Sequence, residues 1–559
     1  MKKKILPITL SAVMVAGTMG LTGCFGGSDG KDTGSETSAE TSAEAVSESS
    51  GSQGGNLKSS GEVTAYVGTS IFDNSMDPVK GFMCYAYPFV GNALLKMGTD
   101  YTYKGDLADS WEISDDALTY TFKLKDGVKF SDGSDFTAED VVFTYETVME
   151  NQANNENVDL TCLDSVKAVD DRTVEFKLKK PYSPFFDTVA MLQIVPSDAY
   201  DSETFDTHPI GTGAYKVSEY TTNQQIILEA NEDCFSGAPG IEKVTLVYMD
   251  HDAAIAAANS GQLDIVMVGA GYAKEEIPGM NMQRFETMDV RHVSLPVLEE
   301  QEMTDADGNT RKVGNNITSD AAVRKALSIG INRQNIIDNS LNGIGKPAES
   351  FVNLAWSIDL DYEDGRTDEA KKILEDAGWK DEDGDGILEK NGNKCEFDMI
   401  APGNDSERYN ISVALAEEAE KLGIRINVQN LSWNEADSLT NSTPIIWGWG
   451  QYNPVLIDQL LGSEKFLTGA YNDVTGYKND EVDEDIRKAL ESTSQDEASE
   501  NWKAAQKKAE EDYPYLYIAN IEHCFFINDN LDISPDTQIK HSHGHGAPIV
   551  CNMAEWSWK

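Results

Sequence analysis

Residues 394–428 hold a strand–helix–strand unit, and it constrains the fold more than any other stretch. Cys395, Phe397 and Met399 alternate through Lys394-Cys-Glu-Phe-Asp-Met-Ile400, the two-residue period of a strand with one buried face. Ser406 to Leu422 carries helical spacing and stops at Gly423, and Ile424-Arg-Ile-Asn-Val428 alternates again. A strand that returns through a helix lies parallel to its predecessor. The rest of the chain also alternates helix and strand signals, which points to an α/β fold.

Other elements fit this pattern. Thr137-Ala-Glu-Asp140 has a capping-box-like start, followed by an apolar face of Val141, Val142, Tyr145, Val148 and Met149. Leu118 to Phe130 reads as a β-hairpin with a glycine turn, and Thr367 as the cap of a helix that ends at Gly378. Asp252 to Asn259 is an alanine-rich helix, followed by a strand from Leu263 to Val268. No internal repeat is visible, and about 500 ordered residues imply more than one domain.

The N-terminus sets the expected compartment. Met1-Lys2-Lys3-Lys4 is basic and Ile5 to Leu21 is apolar, the pattern of a secretory signal peptide spanning 1–23. Leu21-Thr22-Gly23-Cys24 resembles a bacterial lipobox. That resemblance implies cleavage before Cys24 and a diacylglyceryl group on its thiol, two acyl chains being enough for stable anchoring. Residues 24–60 are dominated by Gly, Ser, Thr, Ala and Glu. They cannot bury enough apolar surface to offset ordering entropy, so they read as a disordered tether with a reach of roughly 30–35 Å. A lipid anchor with a long spacer suits the extracytoplasmic face of a Gram-positive membrane.

A net charge of −50 repels nucleic acid and anionic lipid, so the expected membrane contact is through the lipid alone. Beyond Cys24 the chain has Cys84, Cys162, Cys234, Cys395, Cys524 and Cys551, with no CxxC spacing. Six thiols allow 15 pairings. Buried free thiols are the simpler expectation, because a chain of this length needs no staples.

Several motifs fall away on inspection. In Gly211-Thr-Gly213 the third glycine of a dinucleotide fingerprint would fall on Lys216. Asp381-Glu-Asp383-Gly-Asp385-Gly386 imitates a calcium loop, but its twelfth position is Gly392, so a solvated acidic turn is expected. No HExxH, P-loop or GxSxG is present, and nothing proposes a positioned nucleophile and base, so no enzyme activity is expected.

Five segments carry a family resemblance. They are LADSWEISDDALTYTFKLKDGVKFSDGSDFTAEDVVFTYE (107–146), HPIGTGAYKV (208–217), SGQLDIVMV (260–268), AAVRKALSIGINRQNII (321–337) and EAKKILEDAGWKDEDGDGILEKNG (369–392). In this order they resemble the bacterial extracellular solute-binding proteins of family 5, the peptide and nickel receptors of ABC importers. The resemblance implies a type II periplasmic-binding-protein fold of two lobes joined by two hinge strands, near Val290–Leu295 and Tyr515–Ile518. Lobe one would comprise 61–290 plus 518–559, with an extra subdomain at about 101–194, and lobe two 291–517. The implied partners are an ABC permease and its ATPase, served by a monomeric receptor that needs no cofactor.

In related receptors the segment Ile445-Ile-Trp447-Gly-Trp449-Gly450-Gln451-Tyr452-Asn453-Pro454 lines the cleft, making Trp447, Trp449, Gln451 and Tyr452 pocket candidates. Peptide-binding members often carry an Asp here for the ligand's ammonium group, where this chain has Gln451 and Asn453. Some nickel-binding members hold an anionic chelate with an Arg in the 145–160 region, yet 141–160 has no Arg or Lys.

His541-Ser-His543-Gly-His545-Gly holds three of the seven histidines. Imidazole suits nickel, zinc and copper. Side chains two apart on a strand point the same way, so a pair can converge on one ion, while three along a straight strand spread too far unless Gly544 and Gly546 bend the chain. The segment is similar to a His-x-His prong in certain nickel-binding members of the family, which implies His543 and His545, with His541 less directly, as ligands of nickel held as a small chelate such as nickel–histidine. Two alternatives stand beside that reading: a peptide receptor, whose cleft histidines hydrogen-bond the peptide, and, more remotely, a secreted metal-dependent hydrolase.

Overall fold

The computed structural model describes residues 61–72, 75–80, 89–152, 158–358, 360, 363–403, 405–469, 472–542 and 549–559. The leader, Cys24, the tether, Cys84, His543 and His545 lie outside the described residues.

One mixed sheet runs through both lobes. Its strands lie in the order Arg425–Leu431, Glu396–Pro402, Ile445–Trp449, Met280–Ser294, Tyr515–Asn528, Ile265–Val268, Glu62–Tyr66, Lys243–Val247, Gln225–Ala230 and Tyr215–Thr221, with Lys346–Pro347 added to Tyr515–Asn528. The expected crossover is present: Glu396–Pro402 pairs in parallel with Arg425–Leu431, and the helix Ser406–Glu420 connects them. Lobe one has its own parallel pairs, Glu62–Tyr66 with Lys243–Val247 and with Ile265–Val268.

Two long antiparallel strands carry the chain from lobe to lobe. Met280–Glu286 pairs with Glu522–Asn528 on the lobe-one side, and Val290–Ser294 pairs with Tyr515–Asn520 on the lobe-two side. The ladder breaks between Glu286 and Val290. This break, at 287–289 beside Asn520 and Ile521, falls within the two strands that join the lobes. Asn520 Nδ2 donates to the carbonyls of Thr287 and Asp289 at 3.2 and 3.3 Å, and Thr287 Oγ1 donates to the Ile521 carbonyl at 2.7 Å. Side chains thus hold the break where ladder bonds are missing.

The extra subdomain is a four-stranded sheet, ordered Ala108–Ile113, Thr119–Leu124, Thr173–Leu178 and Leu163–Asp170. The helix Ala138–Glu150 covers it with Val141, Tyr145 and Val148 buried, and Val142 and Met149 packed partly against the same core. The capping box at Thr137 forms, with the Thr137 N–H donating to Asp140 at 2.8 Å. The hairpin expected over 118–130 does not form. Thr119–Leu124 pairs instead with Ala108–Ile113 and Thr173–Leu178. After the Gly127 turn, Val128, Phe130 and Phe136 fold into the core through a tight turn in which Phe136 N–H bonds the Val128 carbonyl. Burial of those three side chains outcompetes a second local strand. The cap at 367 also differs: Arg366 is the N-cap and Thr367 the first helical residue.

Five described cysteines, Cys162, Cys234, Cys395, Cys524 and Cys551, are free thiols, and all but Cys551 are buried. Burial pushes the Cys162 and Cys524 thiols up to about 12, which makes them poor nucleophiles. In the acidic turn, Lys394 Nζ lies 3.0 Å from Asp383 and also pairs with Asp385, so a lysine supplies the counter-charge there.

Candidate cleft between the lobes

Topology fixes where a ligand can sit. In an open parallel sheet, loops leaving the carboxyl ends of strands whose connections diverge form a crevice. In lobe two the strand Glu396–Pro402 lies between Arg425–Leu431 and Ile445–Trp449. Its exit loop leads to Asp405, Glu407 and Arg408; the exit of Ile445–Trp449 leads to Gly450, Gln451 and Tyr452. In lobe one, Ile265–Val268 exits into Gly269 and Ala270.

These ends meet. Glu407 Oε1 accepts the Ala270 N–H at 2.9 Å, and Asn342 Nδ2 donates to the Ala270 carbonyl at 3.2 Å. Ala270 belongs to lobe one, and both side chains belong to lobe two. At the extra subdomain, Ser183 N–H donates to the Leu490 carbonyl and Ser183 Oγ to the Ala489 carbonyl, each at 2.8 Å. Gln495 Nε2 in turn donates to the Ser183 carbonyl at 2.7 Å. Tyr101 of the subdomain also stacks on Tyr452 of lobe two, with ring centroids 6.2 Å apart. The lobes are therefore in a closed arrangement.

A charged cluster lies where the lobes meet. Arg291 and Asp289 form a buried ion pair beside the hinge break. Arg408 approaches Asp405 at 3.3 Å and places its guanidinium carbon 5.5 Å from the Trp433 ring. Burial works against the Arg291 charge, but Asp289, Asp405 and Glu407 outweigh it and raise its pKa. Burial, and then the nearby Arg291 charge, brings Arg408 down to about 10. Burial raises Glu407 despite the Ala270 N–H and Arg291. Two cations and three acids thus gather where the lobes meet, with Asp289, Arg291 and Arg408 buried and Asp405 and Glu407 half-buried; such a cluster offers both signs to a ligand.

The pocket candidates take different positions. Trp447 is buried in the lobe-two core and donates its indole N–H to Ser294 Oγ at 3.0 Å. Trp449 is half-buried beside it, ring centroids 6.2 Å apart, and both line a crevice with Leu460, Asn472, Val474 and Tyr515. Gln451 is half-buried at the strand exit. Tyr452 is buried; its carbonyl accepts the Trp356 indole N–H at 3.0 Å, and its hydroxyl donates to the Lys540 carbonyl.

His541 lies at the hinge. Its carbonyl accepts the Met288 N–H at 2.9 Å, and it bridges Thr287. Ser542 Oγ donates to the Gly450 carbonyl at 2.8 Å. The His541 ring faces His523 of the crossing strand Tyr515–Asn528, with centroids 5.2 Å apart and planes at 50°. Around the pair, Glu286 is held down to about 2 by Lys346 and Lys540. Sequence reasoning missed Glu407, Arg291 and His523. The one signal for His523 is a break in an apolar alternation, Ala519, Ile521, His523, Phe525, Ile527.

Comparison with known proteins places this geometry in a family. The model for the middle region of bacterial extracellular solute-binding proteins, family 5, matches residues 102–461. The oligopeptide-binding protein AppA of Bacillus subtilis is 29% identical over 504 residues, 86% of this chain and 89% of that one. The nickel-binding periplasmic protein of Escherichia coli is 29% identical over 355 residues, 62% of this chain and 66% of that one. The crystal structure of NikZ from Campylobacter jejuni with Ni(L-His) superposes with a TM-score of 0.73 at 22% identity, over 89% of this chain and 99% of that one, which shows the type II periplasmic-binding-protein fold. The chain belongs to the bacterial extracellular solute-binding proteins of family 5, the two-lobed binding proteins of ABC importers.

Proposed function

We propose that this protein captures nickel as a small chelate, such as nickel–histidine, between its lobes and delivers it to an ABC permease. In this reading it is anchored through Cys24 at the extracytoplasmic face of the membrane, is monomeric and performs no covalent chemistry. The observation that carries it is the place of His541: its backbone is bonded to the hinge break at Met288, which brings the first histidine of the 541–545 run to the strands that join the lobes. Two further observations support it. The Tyr101–Tyr452 stack and the Glu407–Ala270 bond join the lobes directly, which suits a ligand small enough to leave both contacts in place. The mixed-sign cluster at Arg291, Asp289, Asp405, Glu407 and Arg408 suits the carboxylate and ammonium chemistry of an amino-acid chelator. Trp449, Gln451 and Tyr452 would line the pocket and Trp447 would support it from beneath.

A second reading is an oligopeptide receptor. It is favoured by the wider reach of the likeness to AppA, 86% of this chain against 62% for the nickel-binding relative. Calorimetry on the metal-stripped mature chain separates the two. Nickel with free L-histidine binding tightly at one per chain supports the chelate. Heat from a mixed peptide pool, with only weak multi-site heat from nickel, replaces it with the peptide reading.

A further inference from the structure

We infer that His523 and His541 together form a two-imidazole site for a borderline divalent ion at the hinge, with His523 a metal ligand additional to the C-terminal histidines. The inference rests on the nickel reading above and deepens it. An imidazole bound to such an ion has its nitrogen about 2.0–2.1 Å from the metal, so its ring centre stands about 3 Å away. Two rings on one ion, at the tetrahedral angle or adjacent in a square plane, then have centres about 4.5–5.2 Å apart. The observed separation is 5.2 Å with the planes inclined at 50°, at the tetrahedral end of that range.

Both rings sit on anchored backbone. His523 is within the crossing strand Tyr515–Asn528, paired opposite Phe285. His541 is fixed by the Met288 N–H and the bridge to Thr287, and the residues on either side of it are tied to lobe two: the Lys540 carbonyl accepts the Tyr452 hydroxyl, and Ser542 Oγ donates to the Gly450 carbonyl. Each ring is half-buried, with its Nδ1 atom buried. An ion held by both would staple the C-terminal segment to a strand that belongs to both lobes, coupling metal capture to the hinge.

The alternative is an ordinary tilted pair of aromatic rings, for which 5.2 Å is also a normal separation. The test uses the full mature chain, Ni2+ with equimolar L-histidine, and the variants His523→Ala and His523→Gln. The expected result is wild-type uptake of one nickel per chain and a loss of affinity of at least about tenfold in both variants, since even an outer-sphere partner of a metal ligand costs that much. With Cu2+ as probe, the electron paramagnetic resonance spectrum of His523→Gln should show one nitrogen fewer than wild type. A measurement without any variant completes the test: nickel should protect His523 from diethyl pyrocarbonate, read by peptide mass mapping. Tight wild-type binding with unchanged variants, or His523 modified equally with and without nickel, overturns the role of His523 and leaves the nickel reading standing. A wild-type chain that takes up no nickel overturns both.

Discussion

Gly450 packs so closely on Met288 that a β-carbon built on it would overlap the Met288 carbonyl oxygen and backbone carbon. Met288 lies in the hinge break and Gly450 at the exit of the strand Ile445–Trp449. The glycine is what lets the cleft loop reach the hinge. Gly450→Ala should therefore cost about 3 kcal/mol or more, because backbone and not a flexible side chain must move. Urea unfolding measures the loss, and ligand affinity should fall with it.

Arg333 is fully buried and ties a helix of lobe two to a crossing strand. Its Nε donates to the Tyr517 carbonyl at 2.8 Å, Nη2 to the Ser328 carbonyl at 3.0 Å, and Nη1 to Asp364 at 2.6 Å. Arg333→Ala leaves two buried carbonyls without these donors and should destabilise the fold by about 3–5 kcal/mol. Arg333→Lys should recover only part of this, since an ammonium cannot reproduce the planar fork. Chemical denaturation of both variants checks the order.

Glu407 links the lobes through Ala270. Glu407→Ala removes the acceptor and should weaken closure by about 1–1.5 kcal/mol, the worth of one such bond. Small-angle scattering of the unliganded variant should give a larger radius of gyration, and apparent ligand affinity should fall by the fraction of closed molecules lost. Glu407→Gln keeps an oxygen for the Ala270 N–H and should keep the wild-type radius of gyration.

Stability should fall as pH rises from about 4 to 7. Burial pushes Asp187 and Asp473 up to about 7, and for Asp473 this happens despite hydrogen bonds from Thr475, Gly476 and Tyr477. Their unfolded values are about 3.9. Between those limits the native state binds more protons than the unfolded chain, so the stabilisation is complete below the unfolded value and is lost as pH rises through the folded one. The loss is on the order of 1–4 kcal/mol for each group. Asp473→Asn should flatten the stability–pH curve in this window; an unchanged slope would contradict the assignment.

What could be read from the sequence depended on how local the deciding contact is. The crossover at 394–428 was legible because alternation, a glycine stop and a second alternation occur within one short segment. The capping box at Thr137 was legible for the same reason. The hinge break was not, because its register depends on Asn520 and Ile521, more than 230 residues away from Thr287. The 118–130 hairpin failed because Thr119–Leu124 finds a more distant partner in Thr173–Leu178. In the site, His541 stood out by repetition. Glu407 did not, since an acid in the first turn of a helix reads as a helix-dipole partner until Ala270 is seen beside it.

The central claim is that the cleft closes on a nickel chelate at the hinge. Crystals of the mature chain grown with Ni2+ and L-histidine, measured on both sides of the nickel absorption edge, test it most directly. The account predicts one strong anomalous peak between the lobes, within bonding distance of one or more of His541, His543 and His545. A cleft filled by peptide density, or nickel found only at the acidic turn of Asp381, Asp383 and Asp385, would contradict it.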